Sequence, residues 1–299
     1  MKSGRGRTRR MLEGGTDLPV LLPPGEALQQ RARRERLTGA PLLSLRGRDL
    51  ILLCLLLLVL TGVAEAQAVS AGRESVFVAI QRWIPLLAQG FGFNVLISVM
   101  AMSLGTLVGV GLGLMQVSLL TPVRASSWLV TQFFRNAPWL VLLFYCMFLL
   151  PFEWRIGGLR IPFPDWIKAV LGLSLPVMAN VSEIVRGAVN SIPTGQWESA
   201  SSLAFNRRQT LWQIILPQCY KRMLPPWMNL YAILTMATVL ASIVGVSEVM
   251  TLARRVLAAE DRSDLLIPLY GMILVWFFAY CYPIARFTQW LERRYHVTL

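Results

Sequence analysis

Histidine occurs once in this chain, at His296, and cysteine four times, at Cys54, Cys146, Cys219 and Cys281, with no paired spacing. Those shortages exclude a metalloprotease and a histidine-based hydrolase, because zinc sites and Ser-His pairs need ligands this sequence does not supply. No G-x-x-x-x-G-K-[ST] phosphate loop is present either, so any ATP must be bound by another polypeptide. Charge is scarce: 15% of the 299 residues are charged and 55% are hydrophobic, outside the usual range of soluble domains. Acids are the rarer sign, 16 Asp and Glu against 29 Lys and Arg, for a net charge of +13.

What the chain has in their place is apolar length. Runs at 50–68, 86–117, 128–150, 166–190, 224–247 and 266–290 approach the roughly 20 residues that cross a bilayer as a helix. The expected fold class is all-α, a polytopic transmembrane helical bundle of about six spans. It becomes five if the first run is removed, since Ala64-Glu65-Ala66-Gln67-Ala68 resembles a small-residue cleavage site. The second run is too long for one straight crossing. Its glycines, Gly105, Gly109, Gly111 and Gly113, are expected to include a close helix contact or an end outside the core.

The positive charge is distributed as topology rather than as a nucleic-acid surface. Arginines from Arg5 to Arg48 crowd the segment before the first run, the signature of a cytoplasmic N-terminus. With six crossings the loop holding Arg207, Arg208, Lys221 and Arg222 also faces the cytoplasm, as does the tail with Arg293 and Arg294. Residues 1–48 read as a basic, disordered cytoplasmic arm with too little apolar surface for a core. Residues 49–85 hold the first helix and an external loop, and 86–299 the rest of the membrane domain, with a cytoplasmic loop at 194–222.

That loop is too rich in helix formers and aromatics to be a mere connection, since most are short. Ser199, Ala200, Ser201, Ser202 and Ala204 are small and allow close approach, Leu203, Phe205, Leu211, Trp212, Ile214 and Ile215 offer apolar contacts, and Arg207 and Arg208 cap the turn. The segment resembles the EAA loop of ABC-importer permeases, where E-A-A is followed by a glycine and then I-x-L-P. Glu198, Ala200, Ile214, Leu216 and Pro217 fall on that pattern, while Ser199 replaces an alanine and Ala204 the glycine.

Two further stretches are similar to permeases for polar amino acids. Phe134-Arg135-Asn136-Ala137-Pro138-Trp139-Leu140-Val141 resembles F-R-G-T-P-L-L-V. Ser182-Glu183-Ile184-Val185-Arg186-Gly187, with Ser191-Ile192-Pro193 and Gly195-Gln196-Trp197-Glu198, resembles A-E-x-x-R-G, S-I-P and G-Q-W-E. Read from the residues alone, Glu183 and Arg186 are neighbours on one helical face inside an apolar run, expected to pair or to face a polar cavity. Arg135 is expected near the cytoplasmic start of its helix, where it can snorkel. Where relatives show K-[DN]-[TS]-S-L, this chain has Met236-Ala237-Thr238-Val239-Leu240, and Asn180 stands where a tyrosine is frequent.

The resemblance implies a type I ABC importer permease of a bacterial inner membrane, multi-pass, that carries polar amino acids and is not itself a catalyst. It implies ATPase coupling by Glu198, Ser199, Ala200, Leu203, Ala204, Ile214, Leu216 and Pro217. Translocation or gating candidates are Arg135, Asn180, Glu183, Arg186, Thr235, Thr238 and Ser242. The implied partners are two ABC ATPase subunits bearing ATP and Mg, a second permease subunit, a substrate-binding protein and the lipid bilayer, with no nucleic acid, metal or cofactor on this chain. An ion-coupled secondary transporter and a membrane-anchored interaction protein are the alternatives from other classes.

Overall fold

The structure, a computed structural model, describes residues 74–156 and 159–295, with 59, 61–63, 65, 66 and 72 besides. The basic arm and most of the first apolar run, including Ala64, Gln67 and Ala68 of its cleavage-like end, lie outside the described residues. Among the described residues four helical stretches are long and apolar enough to cross a membrane: Val76–Gln116, Asp165–Asn190, Arg207–Ser242 and Ser263–Arg294.

Helix α1 (Val76–Gln116) begins ten residues before the expected run, carrying Arg82 and Pro85 inside it. Its 41 residues extend about 60 Å, twice the roughly 30 Å hydrocarbon core, so one end stands clear. The run expected at 128–150 is two helices, α2 (Thr121–Asn136) and α3 (Trp139–Leu149). Pro138 has no amide hydrogen to continue the ladder, and the residue before it is biased to extended backbone; Ala137 sits at φ −72, ψ 136. The all-α expectation also gains a short antiparallel hairpin, β1 (Glu153–Ile156) with β2 (Leu159–Pro162), pairing Glu153 with Pro162 and Ile156 with Leu159.

Helix α4 (Asp165–Asn190) is the centre of the bundle: 61% of its most apolar window is buried, against 28–33% for the other three stretches. It packs along α1 through glycines. A Cβ at Gly105 would lie 2.5 Å from Val177 Cγ1, one at Gly109 2.6 Å from the Met178 carbonyl, and one at Gly113 2.7 Å from Val185 Cβ. Contacts advance together along both chains, so the helices run parallel, backbone close to backbone. Gly111, off this face, meets nothing within 4 Å.

After α4 come the short α5 (Thr194–Ser202), one turn at Arg207–Gln209, a π-helical segment at Thr210–Ile215, and α6 (Leu216–Ala237). Helix α6 passes into a 3-10 turn at Thr238–Ser242, and Gly245 at φ +92 breaks the chain direction before α7 (Val249–Glu260). A 3-10 turn at Ser263–Leu265 then leads into α8 (Leu266–Tyr295). Ile97, Leu143, Leu173, Val177 and Leu234, from α1, α3, α4 and α6, meet in the main core.

Candidate functional site

The loop between α4 and α6 is held by hydrogen bonds at its turns. At the end of α5, Phe205 N–H donates to the Ala200 carbonyl at 3.1 Å and Ala204 N–H to the Ser201 carbonyl at 3.0 Å. This is the Schellman ending, and it places Ala204 at φ +58, the left-handed position that glycine fills without steric cost. The small-residue exchange noted in the sequence therefore keeps the turn and adds about 1–2 kcal/mol of backbone strain. The next turn is capped by Asn206 and Gln209, whose side chains reciprocally accept each other's backbone N–H at 2.9 and 3.0 Å. The expected cap, Arg207, instead stacks on Trp197 at 4.0 Å. The π segment ends at Ile215, and Pro217 in the first turn of α6 cannot donate to the Gln213 carbonyl. Gln218 Nε2 supplies a bond to the nearby Ile214 carbonyl at 2.9 Å.

Burial divides the loop. Ala200, expected on an approachable face, is 3% exposed and packed within the chain, and Ile215 is fully buried. Glu198, Ser199, Ser201, Ser202, Ala204 and Pro217 are exposed, with Ile214 and Leu216 half-buried. Two large apolar side chains point outward, Leu203 at 71% and Trp212 at 55% exposure. The loop is fastened to α4 by Arg222, which donates to the Ser191 carbonyl at 2.7 Å and its Oγ at 2.8 Å.

Nearby, Glu183 gathers charge from two helices. Arg186 Nη2 lies 2.6 Å from Glu183 Oε2, Arg135 Nη1 3.6 Å from the same oxygen, and Gln132 Nε2 donates to Oε1 at 3.4 Å. The Glu183 side chain is 13% exposed and the two arginines 37% and 46%. Arg135 is thus in the last turn of α2, about 21 Å along it, and not at a helix start from which it snorkels. Below this cluster, Gln116 Nε2 donates to Ser182 Oγ at 2.6 Å and Thr131 Oγ1 at 3.0 Å, tying α1, α2 and α4 together. The pair also faces a cleft of about 590 Å³ lined by Arg135, Asn180, Arg186, Arg222 and Asn229. Asn180 itself donates to the Pro176 carbonyl at 2.8 Å.

The remaining candidates lie elsewhere. Thr235 is buried and donates to the Tyr231 carbonyl, and the Ser242 carbonyl accepts from Arg254 at 3.2 Å. Thr238 belongs to a network absent from the sequence reading. Asn94 Nδ2 donates to Thr238 Oγ1 at 3.0 Å and to Glu248 Oε2 at 2.9 Å, while Asn94 Oδ1 accepts from Val249 N–H at 3.1 Å. Glu248 is fully buried between two candidate spans and caps α7 by accepting from Thr251 N–H at 2.9 Å. Burial pushes its carboxyl above the usual range, against the pull of hydrogen bonds from Asn94 and from the Met250 and Thr251 amides. Among the described residues no lysine or arginine forms an ion pair with it. The signal that could have found it was an acid, Glu248, standing directly before an amphipathic helix.

Residues 105–297 match the family described as "Binding-protein-dependent transport system inner membrane component". The chain is 34% identical over 211 residues to the probable amino-acid ABC transporter permease protein YckA of Bacillus subtilis (strain 168), covering 71% of this chain and 89% of that protein. It is 29% identical to the L-cystine transport system permease protein TcyB of the same organism, over 72% and 88% of the two chains. Among solved structures, a chain of an amino acid ABC transporter crystallised with histidines superposes with a TM-score of 0.62 at 23% identity, over 73% of this chain and 98% of that one. The MetNI methionine ABC transporter gives a TM-score of 0.56 at 17% identity, over 71% and 97%.

Proposed function

Since the chain belongs to the family of binding-protein-dependent transport system inner membrane components, a transport subunit and not an enzyme, we propose that it is the permease of an ABC importer for polar amino acids. One of two ATPase subunits, which bear the ATP and Mg, docks on its 194–222 loop. A second permease copy or homologue completes the pathway, a binding protein delivers substrate outside, and both termini face the cytoplasm.

The observation that carries this reading is Leu203 and Trp212, each more than half exposed on a loop whose two turns are otherwise fixed by hydrogen bonds. Exposed apolar anchors on a rigid element are what a partner's groove requires. A push on that loop reaches Ser191 through Arg222 and so the central helix α4. Helix α4 carries Glu183 and Arg186 at the cleft, where Arg135 and Asn180 stand with them as gating or translocation groups. Closure of the ATPases then biases one of two membrane arrangements, which is alternating access by differential contact. Thr238 acts through the Asn94 and Glu248 network, holding the break after α6.

Reconstitution with the ATPase and binding protein tests the reading. Uptake of a polar amino acid should need ATP and no ion gradient; uptake driven by a gradient without ATP would make the chain a secondary transporter. Orientation is checked by single cysteines in a background without the four native ones. Ser263→Cys should react with an impermeant reagent in intact cells and Ser202→Cys should not.

A further inference from the structure

Beside the loop a second cleft, of about 670 Å³, receives arginines from three elements: Arg124 of α2, Arg186 of α4 and Arg207 of the loop. Among the described residues no acidic side chain lines it. Arg186 is engaged by Glu183 and Arg207 by the Trp197 ring, while Arg124 forms no ion pair among the described residues. Three guanidinium groups in one concavity offer the planar donors that suit a phosphate.

The surface next to the cleft is apolar. Leu119 is 70% exposed, Leu120 and Leu129 64% each, and Trp128 51%, the last one turn beyond Arg124 on the same face of α2. A soluble phosphate would satisfy the arginines and leave this surface uncovered. A phospholipid satisfies both, with its acyl chains along α2 and its phosphate among the guanidinium groups.

We infer that this cleft binds the headgroup of an anionic phospholipid in the cytoplasmic leaflet. The leaflet rests on the importer reading, which places the 194–222 loop inside; the charge and shape of the cleft do not. The bound headgroup bridges Arg124 and Arg207, and so braces the start of α2 against the coupling loop.

The test uses the full chain in nanodiscs of phosphatidylcholine with and without phosphatidylglycerol, and reads retained lipid by native mass spectrometry after transfer to detergent. Wild type should retain phosphatidylglycerol in preference to phosphatidylcholine. Arg124→Glu should weaken retention about tenfold, the loss of one charge-assisted contact, and Arg124→Lys should keep part of it. Because Arg124 is exposed, the melting temperature of the variants should match wild type, which separates lost binding from lost fold. Equal retention by Arg124→Glu and wild type, equal retention of the two lipids, or displacement of the lipid by millimolar inorganic phosphate would each overturn the proposal. The readout needs neither ATPase nor transport. Its failure would leave the importer reading standing, and failure of ATP-driven uptake would leave a positive lipid result standing.

Discussion

The α1/α4 seam and the 194–222 loop both depend on small residues, but to different ends. Along the seam, Gly105, Gly109 and Gly113 let two backbones meet, and the contacts are complete within the chain. In the loop, Ala200 and Ala204 shape a turn, while Leu203 and Trp212 are left without cover. The seam spends its small residues on its own packing and the loop on presenting a surface, so damage to one should unfold the protein and damage to the other should only disconnect it.

The sharpest way to break that contrast is a pair of substitutions. Gly109→Val drives a side chain into the Met178 carbonyl and Val181 and should lower stability by about 3 kcal/mol or prevent folding; size-exclusion profile and thermal unfolding read the effect. Leu203→Ser should leave the melt unchanged and reduce ATPase co-purification about tenfold or more. A lowered melt for Leu203→Ser would place the loop on the same structural footing as the seam.

Between these extremes stands the Glu183 cluster, which belongs to the bundle but faces a cleft. Glu183→Ala strands Arg186 and should cost about 1–2 kcal/mol, less than for a fully buried pair because both arginines are more than a third exposed. Replacing Glu183 by Gln and Arg186 by Met together should restore most of the stability, since the charge left behind, Arg135, is 46% exposed and stays solvated. If the cluster gates transport, that double variant assembles with the ATPase, hydrolyses ATP and fails to move substrate. Full uptake would reduce the pair to scaffolding.

Ala204→Gly should relieve the left-handed strain and stabilise the loop by about 0.5–1 kcal/mol, visible as slower hydrogen exchange at residues 200–206 with wild-type uptake. Smallest is the effect of pH at Glu248. Its folded carboxyl is raised above the ordinary value of 4.5, so its contribution is fully present below that value and is lost as pH rises through the folded one. The melting temperature of wild type relative to Glu248→Gln should therefore fall from pH 5 to pH 8. A rise would mean that the ionised carboxylate is the favoured partner of Asn94.

Four of the six expected spans were legible because apolar length is a one-dimensional property, and the Glu183 to Arg186 contact because it is three residues along one helix. Breaks were less so: Pro138 inside the third run is recognised punctuation for a helix stop, yet the surrounding apolar residues mask it. Helix α1 starts early because a membrane helix tolerates Pro85. The polar clusters were illegible in a stronger sense. Gln116, Thr131 and Ser182 lie up to 66 positions apart, and Asn94 and Glu248 154 apart, so only the helix packing brings them together. Burial of Ala200 was hidden for the same reason, as which side of a short helix faces inward depends on neighbours elsewhere in the chain.

The claim that the loop is an ATPase docking element is tested most directly by crosslinking from its most exposed apolar residue. Leu203→Cys, in the cysteine-free background, should form a short-reach crosslink to the ATPase subunit in inner-membrane vesicles, with a yield that changes when ATP is added. Phe152→Cys, equally exposed beside the hairpin, should form none. Crosslinking from Phe152→Cys, or a Leu203→Cys that labels freely with soluble reagent in the assembled transporter and never reaches the ATPase, would contradict the account.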